Sequence, residues 1–413
     1  MSELSRTPRE LDAGELDAAD PLGRFRRHFA GAEDGVVAYL DGNSLGRPVI
    51  GASDRLTEFV NEVWSGRLIR AWDESWMDEP TVLGDRLGEV VLGAGRGQTV
   101  IGDSTSVLLY KLIRAAVDAD PSRTEIVVDR ENFPTDRFIL QGIAAERGLT
   151  LRWLEPDRTG GVRPAELAEV LTDRTALVVL SHVAYRSGFL ADAAAITTMA
   201  HRAGALILWD VCHSVGSVPL RLDDWQVDLA VGCTYKYLNG GPGSPAFCYV
   251  RADLQSRLQQ PIWGWMGADD PFAMGPDYRP ADGIRRFLTG TPPIVAMQPL
   301  KLMLELIADA GIDAIRAKSI VLTEYAVELV DERLASLGVT LASPRDPDCR
   351  GSHVTIEHPR FREVCAQLWQ RGVIPDFRAP NGIRIGLSPL STSFAELELG
   401  IDAIRIVLRD AGA

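Results

Sequence analysis

Three polar residues stand at or just beyond the ends of apolar segments, where they could take part in chemistry. Asp210 closes the run Ala205-Leu-Ile-Leu-Trp-Asp210, and Ser181 closes the preceding apolar run. Lys236 follows a later run, within the Gly-rich segment Cys233-Thr-Tyr-Lys-Tyr-Leu-Asn-Gly-Gly-Pro-Gly243. Parallel sheets bind their ligands outside the carboxyl ends of the strands, so these residues are the first candidates for a functional site.

A lysine and a carboxylate at one sheet edge suit an aldehyde cofactor that has a basic ring nitrogen. The lysine amine can form a Schiff base with the aldehyde, and a buried carboxylate can keep a pyridine nitrogen protonated. Pyridoxal 5′-phosphate also needs an anion site. The segment Ser104-Thr-Ser106 begins a predicted helix, whose hydroxyls, free N–H groups and positive dipole end favour phosphate.

Each of these residues also has a purely structural interpretation. Lys236 could be a surface lysine in a turn, and Asp210 or Ser106 could cap a helix. Another possibility for the whole protein is a cofactor-binding scaffold without activity. The presence of Lys236 and Asp210 together favours catalysis, because a scaffold needs neither.

The elements around these residues predict an α/β fold. Continuous apolar runs at 125–129, 175–182, 205–210 and 227–233 alternate with helical patterns such as 164–172 and 191–203. Apolar strands without alternation are typical of a mostly parallel sheet with helices on both faces.

The chain is predicted to have an arm and two domains. Residues 1–50 form an N-terminal arm that packs with the small domain and holds a short amphipathic helix around Pro21 to Phe29. Residues 51–297 form the large cofactor-binding domain. Residues 298–413 form a smaller α+β domain, with a long helix over 299–337 broken near Gly311 and with strand candidates at 339–342, 352–356 and 383–387.

Composition excludes several functional classes. The 413 residues carry 43 Lys and Arg against 57 Asp and Glu, a net charge of −14 that argues against nucleic-acid binding. No run approaches the roughly 18 apolar residues of a membrane span, and the polar N-terminus does not resemble a signal peptide. The five cysteines lack CxxC spacing, so neither a disulfide framework nor a metal site is predicted, and we expect a cytoplasmic protein.

Several further motifs resemble the kynureninase family, pyridoxal-phosphate enzymes with the aspartate-aminotransferase-like fold type I. They follow the family's order from residue 40 to about 390, and so cover nearly the whole chain. The motifs are Leu40-Asp-Gly-Asn-Ser-Leu-Gly46, Asp103-Ser-Thr-Ser-Val107, Asn132-Phe-Pro-Thr-Asp136, Trp209-Asp-Val-Cys-His-Ser-Val-Gly216, the Gly-rich segment around Lys236, Gly264-Trp-Met-Gly267 and Arg384-Ile-Gly-Leu-Ser-Pro389.

The resemblance implies a hydrolase that cleaves the Cβ–Cγ bond of a kynurenine to an anthranilate and L-alanine. Lys236 resembles the Schiff-base lysine, Asp210 the partner of the pyridine nitrogen, and Tyr235 a proton donor or relay. Arg384, with Asn43, resembles the site for the substrate α-carboxylate. The other residues that resemble cofactor contacts are Thr105, Ser106, Phe133, Asp136, Ser181, His213, Trp265 and Thr291.

The resemblance further implies a homodimer with shared active sites, because Trp265 and Thr291 resemble residues that reach the phosphate from the neighbouring subunit. Trp64, Trp72 and Trp76 could line either a substrate entrance or a dimer face. The sequence alone does not decide between the two.

Two positions depart from the family. Ala268 stands where the family usually carries His, and Ser391 where it usually carries Tyr. These changes raise an alternative function, in which a related enzyme acts on a different γ-keto or β-substituted amino acid.

Overall fold

The computed structural model describes residues 12–31 and 35–412. Its helices are α1 (Ala13–Ala19), α2 (Ala52–Glu58), α3 (Ser65–Arg67), α4 (Glu79–Leu87), α5 (Thr105–Ala119), α6 (Pro134–Arg147), α7 (Pro164–Val170), α8 (Ala193–Arg202), α9 (Ile294–Ala310), α10 (Ile312–Arg333), α11 (Phe361–Gln370) and α12 (Phe394–Gly412). Its strands are β1 (Ala38–Leu40), β2 (Thr99–Ile101), β3 (Glu125–Asp129), β4 (Thr150–Leu154), β5 (Thr175–Ser181), β6 (Leu206–Asp210), β7 (Leu229–Gly232), β8 (Phe247–Val250), β9 (Thr340–Leu341), β10 (His353–Glu357), β11 (Val373–Arg378) and β12 (Gly382–Gly386).

The larger of the two sheets has seven strands in the order β2-β8-β7-β6-β5-β3-β4. The neighbours from β7 to β4 pair in parallel, and β8 is antiparallel to both β7 and β2. Alternate residues of the strands pack into two hydrophobic cores, one on each face of the sheet. Val178 and Ile207 belong to one core, and Leu177 and Leu208 belong to the other. Both faces are therefore buried, which confirms the predicted mostly parallel sheet.

A second, five-stranded sheet has the order β1-β11-β12-β10-β9. Strand β1 pairs in parallel with β11, so the N-terminal part of the chain joins a sheet built otherwise from C-terminal strands. Asp17 accepts hydrogen bonds from the backbone N–H groups of Phe394 and Ala395, both at 3.1 Å, at the start of α12. Asp20 forms a buried ion pair with Lys318 of α10 at 2.7 Å.

The prediction of an amphipathic α-helix around Pro21 to Phe29 is wrong. The structure has a 3-10 helix over Gly23–His28, preceded by the unpredicted helix α1. Helix α1 has only seven residues with a single large apolar side chain, Leu16, and it is stabilised by a capping box between Asp12 and Glu15. By contrast, the long C-terminal helix breaks at Gly311 as predicted, where φ is +80°.

The division of the chain at residues 50 and 297 stays a prediction. In the part of the chain that the structure describes, no helix combines the length and apolarity needed to cross a membrane.

Candidate active site

The carboxyl ends of β5 and β6 and the segment after β7 meet at one edge of the large sheet. Ser181 and Asp210 are directly paired in register, and Lys236 follows β7 by four residues. A cavity of about 280 Å³ opens here. The predicted residues that line it are Asn43, Thr105, Ser106, Phe133, Asp136, Asp210, His213, Tyr235, Lys236 and Arg384.

Two carboxyl groups occupy the base of this cavity. Asp210 ends β6, and its Oδ1 accepts a hydrogen bond from the Cys212 backbone N–H at 2.8 Å, which fixes the carboxylate. Asp136 lies in the first turn of α6 and is buried. Burial, followed by repulsion from Asp210, raises the pKa of Asp136 well above its ordinary value. Asp136 is therefore readily protonated beside the Asp210 carboxylate.

The Lys236 amine lies beside His213. The distance from Lys236 Nζ to His213 Nε2 is 3.3 Å, and Arg384 Nη1 is 3.5 Å from the same ring nitrogen. Burial, and then the positive charges of Lys236 and Arg384, lower the pKa of His213 well below its ordinary value. His213 is therefore neutral at physiological pH, and a ring nitrogen can accept a hydrogen bond from either cation.

The Phe133 ring forms a flat apolar wall of the cavity. Its centroid lies 5.9 Å from Lys236 Nζ, and it packs edge-on against Tyr185. The Asn132 side-chain oxygen accepts hydrogen bonds from the Phe133 backbone N–H at 2.7 Å and from the Ser181 hydroxyl at 2.8 Å. Ser181 does not line the cavity itself. It anchors the loop that presents Phe133.

The start of α5 has the features of an anion site. Ser104 caps the helix by accepting from the Val107 backbone N–H at 3.4 Å, and the hydroxyls of Thr105 and Ser106 lie in the first turn beside the cavity. First-turn N–H groups have no acceptor within their own helix, and they attract phosphate. The loop before the helix is held by buried Lys111, whose Nζ lies 2.5 Å from Asp103.

Tyr235 precedes Lys236 and also lines the cavity. Burial, and then negative charge on Cys233 and Cys212, raise the pKa of its phenol. Tyr235 therefore keeps its proton at neutral pH and can donate a hydrogen bond.

Arg384 of β12 enters the cavity from the smaller sheet. Its Nε donates to Asp376 Oδ2 at 2.6 Å, and its Nη2 donates to the Ser44 hydroxyl at 2.9 Å. Asn43, with its amide oriented to satisfy both neighbours, donates to Asp41 at 3.2 Å and accepts from Arg384 Nε at 3.3 Å. The guanidinium is thus buried and held in a fixed orientation by several partners.

The structure does not bring Trp265 or Thr291 into this cavity. Trp265 packs against Trp72 with a centroid distance of 6.4 Å, and Thr291 is exposed. Ala268 and Ser391, the two departures from the family pattern, also lie outside the lining. The Ala268 carbonyl accepts from Arg285 at 2.9 Å, and Ser391 is buried beside Ser388.

Sequence reasoning missed several residues that take part in this site. Ser44 and Asp376 hold Arg384, and Thr135, Cys212 and Arg378 line the cavity. Ser44, Thr135 and Cys212 lie within motifs noted above. Asp376 and Arg378 lie in Asp376-Phe-Arg-Ala-Pro380, a further segment that resembles the family, so proximity to a motif was the available signal. Asp376 also contacts Arg378 at 2.7 Å and so holds both arginines.

The residues present fit pyridoxal phosphate. The cavity combines an amine for the aldehyde, a carboxylate for the ring nitrogen, a flat aromatic wall and a helix N-terminus for the phosphate. Among the described residues, Asp136 Oδ2 is buried without a hydrogen-bond partner. A buried polar atom of this kind is expected where a ligand completes the site.

Comparison with known proteins agrees with this chemistry. Residues 315–404 match the model of the kynureninase C-terminal domain. The kynureninase of Pseudomonas fluorescens is 42% identical over 403 residues, which cover 96% of this chain and 94% of the relative. The kynureninase of Burkholderia pseudomallei (strain 1106a) is 42% identical over 404 residues, with 96% and 95% covered. The chain belongs to the kynureninase family.

Solved structures show the same fold at low identity. A C-DES variant with glycine covalently linked to its pyridoxal-phosphate cofactor has a TM-score of 0.81 and 19% identity, and covers 92% of this chain and 98% of its own. The apo cysteine desulfurase of Thermococcus onnurineus NA1 has a TM-score of 0.78 and 18% identity, with 98% and 99% covered. The predicted family and fold type I are thus confirmed, and the chain is a pyridoxal-phosphate-dependent hydrolase of this family.

Proposed function

We propose that this enzyme hydrolyses the Cβ–Cγ bond of L-kynurenine, 3-hydroxykynurenine or a substituted kynurenine, and releases an anthranilate and L-alanine. The observation that carries the proposal is the convergence of Lys236, Asp210 and Arg384 on one cavity in a chain of the kynureninase family. An inactive binding scaffold would need none of these three side chains in that arrangement.

The cofactor would be held by five side chains of this chain. Lys236 would bind its aldehyde carbon, and the Asp210 carboxylate would keep its ring nitrogen protonated. Phe133 would stack on the ring, and Thr105 and Ser106 would bind the phosphate. When bound, pyridoxal phosphate supplies an electron-poor ring that stabilises negative charge at the substrate carbon atoms.

The protein moves the protons of the reaction. Once its amine is free, Lys236 would remove the proton from the substrate α-carbon, with neutral His213 beside it at 3.3 Å. Tyr235 keeps its phenolic proton and would donate it as the bond to the aryl ketone breaks. Water adds to the γ-carbonyl carbon, so the products together contain one more water than the substrate.

Arg384 would bind the α-carboxylate of the amino acid. Its guanidinium is oriented by Asp376, Ser44 and Asn43 before substrate arrives, and a planar fork matches a carboxylate in two hydrogen bonds. This fixed orientation would place the α-carbon next to Lys236.

Substitution Arg384→Lys should therefore raise KM for kynurenine about 10- to 100-fold, because hydrogen bonds to charged groups contribute about 1.5–3 kcal/mol. Steady-state kinetics measure the change. The exposed Arg371→Lys variant should behave as the unsubstituted enzyme. Binding of kynuramine, which lacks the carboxylate, should change little. An equal loss of binding for kynurenine and kynuramine would contradict this role.

We also propose that the enzyme is a homodimer with shared sites. A second cavity of about 830 Å³, here named the apolar groove, begins at the loop after Lys236 and is open to solvent. Its lining includes Trp64, Trp72, Trp76, Pro292, Val295 and the segment 239–242. Trp64 and Val295 expose apolar surface in this groove, and clustered exposed apolar side chains mark interaction sites. A second copy seated there would lie next to the active-site loop.

Trp265 and Thr291 fit this arrangement. Trp265 packs on Trp72 in the groove, and Thr291 immediately precedes groove residues Pro292 and Pro293. Both lie outside the cavity of their own chain and beside the proposed interface. They would contact the phosphate of the second subunit, as the family resemblance implies.

Placing charges in the groove should separate the subunits. Trp64 and Val295 are 50% and 43% exposed, and burying a carboxylate at either position would be unfavourable. The double variant Trp64→Glu, Val295→Glu should shift the mass measured by light scattering from twice 45.1 kDa to a single chain. The Leu399→Glu variant, on α12 outside the groove, should stay dimeric. A groove variant that remains dimeric would contradict this interface.

The alternative of a different γ-keto or β-substituted amino acid is no better supported, because the relatives at 42% identity are named kynureninases. Ala268 and Ser391, which motivated it, do not line the cavity of their own chain. We propose a cytoplasmic location, in keeping with five cysteines that are all free.

The function is tested by turnover of a substrate panel with purified protein and added pyridoxal phosphate. Kynurenine and 3-hydroxykynurenine should release fluorescent anthranilates. Cysteine and β-chloroalanine, offered in parallel, should react far more slowly. A protein that binds the cofactor but prefers either of those two amino acids would overturn the proposal.

A further inference from the structure

Two buried thiols that catalysis does not require stand side by side beneath the cofactor cavity. Strands β6 and β7 pair in parallel with Asp210 opposite Val231. Cys212 and Cys233 each follow this pair by two residues. The hydrogen bond from the Val211 N–H to the Val231 carbonyl, at 2.9 Å, continues the pairing beyond the strand ends. Neighbouring strands lie about 4.8 Å apart, within the Cα separation that a disulfide spans.

The two side chains are neighbours just beyond the strand ends, and Cys233 Sγ lies 4.0 Å from the Cys212 carbonyl oxygen. Hydrogen bonding to Cys233, and then burial, raise the pKa of Cys212 well above its ordinary value. Burial would raise the pKa of Cys233, but the hydrogen bond from Cys212 and the charge of Lys236 outweigh it and lower the pKa to about 7. A thiolate fraction is therefore present at neutral pH, and the thiolate is the reactive form.

The pair can be reached from the cavity. Cys212 is 5% exposed and lines the same cavity as Lys236, whereas Cys233 lies behind it at 1%. The other cysteines are elsewhere: Cys248 is buried in the core of the large sheet, and Cys365 in the core of the small sheet. Cys349 is half-buried and does not line the cavity.

We propose that Cys212 and Cys233 form a dithiol modification site that hydroperoxides convert to a disulfide. The Cys233 thiolate attacks one peroxide oxygen, the O–O bond breaks, and the leaving oxygen departs as water from hydrogen peroxide or as alcohol from an organic hydroperoxide. The Cys212 sulfur then attacks the resulting sulfenic acid and displaces its oxygen as water. Both thiol protons end in the products, two thiols are oxidised, and one peroxide is reduced.

The test is oxidation of the purified enzyme with a small excess of hydrogen peroxide, with bound cofactor and after cofactor removal. Trypsin cleaves after Arg221, between the two cysteines, so the disulfide joins two otherwise separate peptides. Mass spectrometry without reduction should find peptides 203–221 and 222–236 linked and two hydrogens lighter. Free thiols in denatured protein should fall from five to three and return with dithiothreitol.

Variants make the assignment specific. Cys212→Ser and Cys233→Ser should each abolish the linked peptide, whereas the matched variant Cys365→Ser should retain it. If Cys233→Ser fails to fold, Cys212→Ser carries the comparison. Absence of the link in both cofactor states, or oxidation of Cys349 alone, would overturn the proposal.

Discussion

Substitution Lys236→Ala should abolish turnover and the covalent attachment of the cofactor together. The amine is the one cavity group able to bind an aldehyde and then carry the α-proton, and loss of such a group lowers kcat by about 10³-fold. Reduction with borohydride followed by peptide mapping should find the cofactor on residue 236 in the unsubstituted enzyme. The variant should yield no modified peptide.

The small number of lysines in the sequence provides a clear control for this experiment. The chain has four lysines, of which Lys111 and Lys318 are buried in ion pairs away from the cavity. Lys301→Arg keeps the charge that pairs with Glu79 and should retain both activity and the adduct at residue 236. Substantial kynurenine cleavage by Lys236→Ala, with a circular dichroism spectrum of folded protein, would contradict the assigned role.

Substitution Asp210→Asn should give the second largest loss. The amide oxygen can still accept from the Cys212 N–H, so the geometry is kept while the negative charge is removed. Preorganised charge of this kind contributes about 10²- to 10³-fold to kcat. Steady-state kinetics should find that loss, and the absorption spectrum of the bound cofactor should change as its ring nitrogen loses a proton.

Neighbouring Asp136 provides the test of this assignment. Its raised pKa makes it a poor source of fixed negative charge, so Asp136→Asn should reduce kcat less than Asp210→Asn does. The conservative variant Asp210→Glu should recover part of the activity. If Asp136→Asn causes the larger loss, then Asp136 rather than Asp210 carries the charge that faces the ring.

The central sheet was predictable because burial on both faces leaves a plain signal. Strands β3, β5, β6 and β7 are continuous apolar runs, as their positions in the sheet require. Strand β4 was missed because it lies at the edge and is mostly half-buried or exposed, with Arg152 within it. Strand β11 was missed because Pro375 and two charged residues interrupt its apolar pattern.

The chemistry of the site was predictable where a strand end fixes the position. Asp210 and Lys236 stand next to strands that the sequence reveals, and the structure places them in one cavity. The partners of Arg384 come from distant parts of the chain, because Ser44 and Asp376 are about 330 residues apart. Only the folded small sheet brings those segments together. Trp265 and Thr291 do not line the cavity of their own chain, and their contact with a second subunit stays a prediction.

The most direct measurement of the central claim is cleavage of kynurenine in ¹⁸O-labelled water, with all products analysed by mass spectrometry. Hydrolysis at the γ-carbonyl predicts equal amounts of alanine and anthranilate, with one solvent oxygen in the anthranilate carboxylate. Unlabelled anthranilate, or release of pyruvate and ammonia in place of alanine, would contradict hydrolytic cleavage of the Cβ–Cγ bond at the Lys236 site.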